Sequence, residues 1–116
     1  MQTNQIDVVK RLAELSRLLD KATDEMANFD RDYIEKKSAF EKAYASTFLQ
    51  SSGSMDIRRY EATLNTADLK FAMESAEQIL RACKERINTL RAQISIGQTL
   101  SAAMRQQFSA EGIGQV

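Results

Sequence analysis

Apolar residues recur at alternating steps of three and four on both sides of one short Ser/Gly segment, and the chain contains no proline. Steps of this kind line one side of a helix with apolar side chains, the spacing of a left-handed coiled-coil seam. Before the segment the stripe runs through Leu12, Leu15, Leu19, Ala22, Met26, Phe29, Tyr33, Phe40 and Ala43, interrupted at Lys36. After it the stripe runs through Ala76, Leu80, Cys83, Ile87, Leu90, Ile94, Gly97, Ser101, Met104 and Phe108. The only convincing turn is Ser51-Ser52-Gly53-Ser54, after which Ser54 or Asp56 can cap a second helix.

This pattern predicts an all-α fold, a long antiparallel helical hairpin of coiled-coil type. It comprises a helix over about 5–49, a turn at 50–55, a helix over about 56–108 and a flexible tail at 109–116. Laying one stripe on the other pairs residues whose numbers add to about 105. Phe48 falls by Ile57, Phe40 by Leu64, Phe29 by Ala76, Ala22 by Cys83, Leu19 by Ile87, Leu15 by Leu90 and Leu12 by Ile94. The same register sets Lys37 by Asp68, Glu35 by Lys70, Arg31 by Glu74, Asp24 by Arg81 and Glu14 by Arg91, with like charges at Lys21/Lys84 and Asp20/Glu85. Between Leu64 and Leu80 the phase slips. Leu64, Ala67 and Phe71 reach Ile79 and Cys83 only by consecutive four-residue steps, a stutter that predicts local unwinding.

A two-helix rod of 116 residues buries a small share of its surface. A side stripe of Leu18, Ile34, Ile79 and Ile96 lies outside the seam, so hairpins are expected to pair, as a dimer or higher oligomer, into a bundle of at least four helices. At 43% apolar and 28% charged the chain reads as one folded domain.

The residues for chemistry are few. There is no histidine, which removes the commonest general base near neutral pH and the usual metal ligand. Cys83, the single cysteine, sits on the seam and reads as a small buried core residue rather than a nucleophile. Glu74 and Glu77 read as a solvated face rather than a metal site, and Gly97 as a close helix approach or a bend. Lys36 reads as a lysine that fixes register while its stem lies on Phe29, Tyr33, Phe40 and Tyr44. No catalytic, cofactor-binding or metal-binding residue is assigned, and an enzyme is not expected. The start Met1-Gln2-Thr3-Asn4-Gln5 lacks the pattern of a signal peptide, and no run approaches the roughly 18 apolar residues that span a bilayer. The expected location is cytoplasmic, with no membrane partner.

Two surfaces carry the functional expectation. If the first helix begins near Gln5, the second extends past it beyond about Leu100. Leu100, Ala103, Met104 and Phe108 are then left uncovered, followed by Ile113 and Val116. Uncovered apolar side chains at helical spacing mark an interaction site, so Leu100, Met104, Arg105 and Phe108 are the candidate partner-binding residues. A second copy of the chain covering this end is the alternative. The other surface is electrostatic. Sixteen basic and sixteen acidic residues cancel overall, but residues 25–80 carry net −3 and residues 81–105 net +4. Arg81, Lys84, Asn88, Arg91, Gln98 and Arg105 form a ribbon of donors that suits a phosphate backbone, though without interleaved aromatics. Its alternative is a solvated face in which Asp24 and Glu14 answer Arg81 and Arg91.

Residues 43–64 (AYASTFLQSSGSMDIRRYEATL) and 90–116 (LRAQISIGQTLSAAMRQQFSAEGIGQV) are similar to small helical proteins of tailed bacteriophages. The turn Gly53-Ser54-Met55-Asp56, the segment Gln93-Ile94-Ser95-Ile96-Gly97-Gln98 and the ending Gly114-Gln115 carry the resemblance most specifically. It implies a setting, among the recombination and replication functions of phage DNA metabolism in the bacterial cytoplasm, and neither an activity nor catalytic residues. Together these features lead us to expect a non-enzymatic adaptor that contacts a phage or host protein. Direct nucleic-acid binding, or a structural spacer or inhibitor, are the alternatives.

Overall fold

A computed structural model describes residues 4–114, with side chains described through Ala110. Three helices follow one another: α1 (Gln5–Gln50), α2 (Met55–Asn65) and α3 (Ala67–Gly114), with no strand among the described residues. Asn4 starts α1, its side-chain oxygen accepting from the Asp7 amide at 2.9 Å. Gly53 turns the chain with φ +110°, and Ser54 caps α2 by accepting from the Ile57 amide at 3.3 Å. The helix placed after the turn is divided in two at Thr66, whose backbone departs to φ −111° and ψ 11°. Its amide and its hydroxyl both donate to the Ala62 carbonyl, at 3.1 and 2.6 Å. Threonine back-bonding of this kind bends helices. Past the other end of the seam, α3 remains helical through Gly114, where a tail from 109 was expected. Ser109, Ala110 and Glu111 carry no breaker, and Gly112 alone costs a helix only about 1 kcal/mol.

The chain forms two compact units. Unit 2 is Glu25–Cys83, and unit 1 takes its described residues from Met1–Asp24 and Lys84–Val116. In unit 2 the second half of α1 turns at 51–54 into α2 and the start of α3. The buried side chains of the returning strand of helix are Ala62, Thr66, Ala76, Leu80 and Cys83, with Met73 half-buried. They keep the alternating seam spacing across Thr66, so the expected stutter through Leu64, Ala67 and Phe71 is not used. Leu64 and Phe71 are 76% and 73% exposed, and Ile57 and Ile79 each 50%. The seam therefore selects the small residues of this stretch. Leu64 and Ile57 are not the core partners that Phe40 and Phe48 were assigned. Arg58 takes the seam position before Ala62, with its Nε buried and unbonded.

In unit 1 the first half of α1 packs on the later part of α3. Val8, Leu15, Ile87 and Leu90 are buried, and Leu12, Leu19, Ile94, Gly97, Ser101 and Met104 half-buried. Each fully buried Val, Leu or Ile contributes roughly 1.5–3 kcal/mol, which makes this seam the main source of stability.

Among the described residues, Glu14, Lys70, Glu74 and Arg81, which the register set across the hairpin, pair within single helices instead. Glu14 binds Arg11 at 3.1 Å, Arg81 binds Glu77 at 2.8 Å, Lys70 lies 4.0 Å from Glu74, and Arg59 lies 3.8 Å from Asp56. Lys36 donates to Asp32 at 2.9 Å, one turn back on the same helix. Residues three or four apart on a helix already face each other, so such pairs need no interhelical alignment. Each is worth about 0.3–0.5 kcal/mol, small beside the apolar seam.

Candidate functional site

The end of unit 1 is organised by Gly97. A Cβ built at this position would stand 2.7 Å from Leu12 Cδ2, so the glycine lets the leucine close on the backbone of α3. The helix is continuous through it, and the nearness of Leu12 makes Gly97 a close approach. The expected pairing put Leu12 by Ile94. The contact lies three residues further along α3, as expected for a side chain that leans toward the start of its own helix.

Beside this contact is an open apolar cleft of about 310 Å³. Val8, Leu12 and Leu15 form one wall, Ile96, Gly97 and Leu100 the other, with Asp7, Arg11 and Gln93 at the rim. The mixed wall explains why Leu100, 43% exposed, is less bare than Phe108. Asp7, Val8, Arg11 and Gln93 were not anticipated as lining residues. No sequence signal marks them: Ile96, one turn before Leu100 and 70% exposed, reads only as part of the side stripe.

Beyond the cleft the seam stripe of α3 outlasts α1. Ser101 and Met104 are half-buried, whereas Phe108, the next seam position, is 74% exposed. Arg105 is exposed beside Ala102, Gln106, Ser109 and Ala110, which outline a shallow depression on the same segment. Of the four candidate partner-binding residues, Met104 and Phe108 follow the seam, Leu100 lines the cleft wall, and Arg105 flanks both. Ala103 is exposed beside Leu100. The Ile113 side chain and Val116 lie outside the described residues.

On α3 in unit 1, Lys84, Asn88, Arg91, Gln98 and Arg105 are all exposed, and with Ser95 and Ala102 between them they keep alternating steps of four and three. Glu14 turns to Arg11, and among the described residues Arg91, Lys84, Arg86 and Arg105 have no acidic partner. Arg81, the first residue of the expected ribbon, belongs to unit 2 and is held by Glu77. Cys83 is buried, as its seam position predicted. Among the described residues no group of three or more His, Cys, Asp or Glu side chains is placed to hold a metal ion, and no helix is long and apolar enough to cross a membrane.

No protein-family model, no curated protein and no solved structure matches the chain.

Proposed function

We propose that this chain is a non-enzymatic accessory protein that acts by protein–protein contact, with the projecting end of α3 as its docking element. Phe108 and Met104 would anchor in an apolar groove of the partner, Leu100 would close the base of the contact, and Arg105 would orient it. The observation that supports this reading is the continuation of the seam stripe onto Phe108, 74% exposed, past the start of α1. Anchors of this type commonly cost more than about 1 kcal/mol each when truncated. The setting we propose, phage DNA recombination or replication or modulation of a host protein in the bacterial cytoplasm, rests on the resemblance of residues 43–64 and 90–116 to small tailed-phage proteins. Assembly of hairpins into a helical bundle is part of the same reading, supported by exposed Ile34, Ile79 and Ile96.

The test is affinity purification from phage-infected cells, with and without nuclease. The wild-type chain should retain a protein partner after nuclease treatment. The double variant Met104→Asp, Phe108→Asp should lose it while keeping its helical circular dichroism. Equal capture by the double variant would refute the docking element.

A second reading, direct nucleic-acid binding, is favoured by one observation: Lys84, Arg91 and Arg105 share an exposed line with no acidic partner among the described residues. Its signature is a gel shift at low salt. Three neutralised phosphates would make log K fall against log salt with a slope near −3, about −0.9 per phosphate. Absence of a shift at micromolar protein would refute it.

A further inference from the structure

The helix α2 is built the wrong way round for a chain that acts alone. Its buried side is made of small residues, Ala62 at 0% and Thr66 at 2% exposure. Its large apolar residues are turned outward, with Ile57 at 50%, Tyr60 at 71% and Leu64 at 76%, and Phe71 at the start of α3 continues the row at 73%. At about 100° per residue this row lies on the side of the helix opposite Ala62 and Thr66. The backbone bonds from Thr66 to Ala62 and from Lys70 to Thr66 carry the helical phase across the bend, so Phe71 stays in line. Ile57, Leu64 and Phe71 are spaced by seven, the repeat that faces another helix rather than a flat surface.

We propose that this face pairs with the same face of a second copy of the chain. The inference deepens the self-association in the proposed function by naming a surface, and it is independent of the docking end of α3. Two arguments select a second copy. The first is symmetry: Ile57 and Phe71 stand seven residues to either side of Leu64. An antiparallel two-fold pairing therefore sets Leu64 on Leu64 and Ile57 on Phe71, the self-complementary pattern of an isologous interface. The second is area. Two largely exposed aromatic side chains and two aliphatic ones present roughly 500 Å² per copy, in the upper part of the range in which a monomer's largest apolar patch is often functional. Pairing removes about twice that, near the 1,000 Å² a specific interface requires. Rim charges divide: Asp56 comes to Lys70 of the second copy on one side, and Glu61 to Asp68 on the other, so the apolar row decides the affinity.

The test is sedimentation equilibrium of the full chain at about 100 μM, above the micromolar range in which interfaces of this size bind at their weak end. Three proteins are compared: wild type, Leu64→Glu with Phe71→Glu, and Met104→Asp with Phe108→Asp. The wild type and the α3-end variant should sediment at twice the monomer mass, and the Leu64/Phe71 variant at the monomer mass with unchanged circular dichroism. Both residues are outside the chain's own core, so loss of folding is not expected. If the variant destabilises the fold, Leu64→Cys on a Cys83→Ser background supplies the second readout, a disulfide-linked dimer on mild oxidation. A monomeric wild type would overturn the proposal, as would a Leu64/Phe71 variant that stays dimeric. Loss of the dimer only in the α3-end variant would place self-association at that end instead.

Discussion

Leu12 and Gly97 are fitted to each other: the leucine Cδ2 occupies the space a Cβ at 97 would need, at 2.7 Å. Replacing Gly97 by alanine thus sets two effects in opposition. Alanine improves the helix by about 1 kcal/mol, and overpacking against Leu12 costs about 1–3 kcal/mol. We expect Gly97→Ala to destabilise by about 1 kcal/mol in urea denaturation. In a Leu12→Ala background the same substitution should become stabilising, and an unchanged sign would show that the two side chains do not meet.

Arg58 holds a seam position with its Nε buried and without a hydrogen-bond partner. An unsatisfied buried donor costs about 1–3 kcal/mol. Arg58→Met keeps the stem and removes the donor, so the midpoint of urea denaturation should rise, by about 1 kcal/mol in stability. A fall of that size would mean the guanidinium carries a bond that stabilises α2.

The turn depends on Gly53 and Ser54 for different reasons. At φ +110° a side chain strains the backbone, so Gly53→Ala should cost about 1–2 kcal/mol. Ser54→Ala removes the acceptor for the Ile57 amide and should cost about 1 kcal/mol. Thermal melts of both variants check this, and a Gly53→Ala protein as stable as the wild type would contradict the turn conformation.

Cys83 is 6% exposed on the seam. A thiol reagent should modify it at least about 100-fold more slowly in the native protein than in urea, since reaction requires local opening. Fast native labelling, followed by absorbance, would place the thiol at the surface.

From Ala76 to Met104 the seam was fully legible, because its steps alternate without interruption and every member is buried or half-buried. The turn was equally plain, since Gly53 and Ser54 each satisfy a specific backbone need, whereas the Asn4 cap of α1 was found only in the structure. Between 55 and 75 the reading followed the largest apolar residues. The structure buries Ala62 and Thr66 there and leaves Leu64 and Phe71 outside, and size alone does not reveal which of two opposite apolar rows faces inward. The charges misled for a related reason: a shared register is compatible with Glu14 meeting Arg91, but Arg11 is one turn away on the same helix and always within reach. The projecting end of α3 was legible in outline. Its cleft was not, because Val8, Leu12 and Leu15 meet Ile96 and Leu100 only in three dimensions.

The central claim is that α1 covers α3 as far as Met104 and leaves the turns after it bare. Amide hydrogen exchange along α3 tests this most directly. The last turns of a helix with no packing partner are held only by their own hydrogen bonds and open locally. The amides from Ile87 to Ser101 should therefore be strongly protected, and those from Gln106 to Ala110 should exchange much faster than them. Protection that continues undiminished through Phe108 would show that end to be covered and would contradict the account.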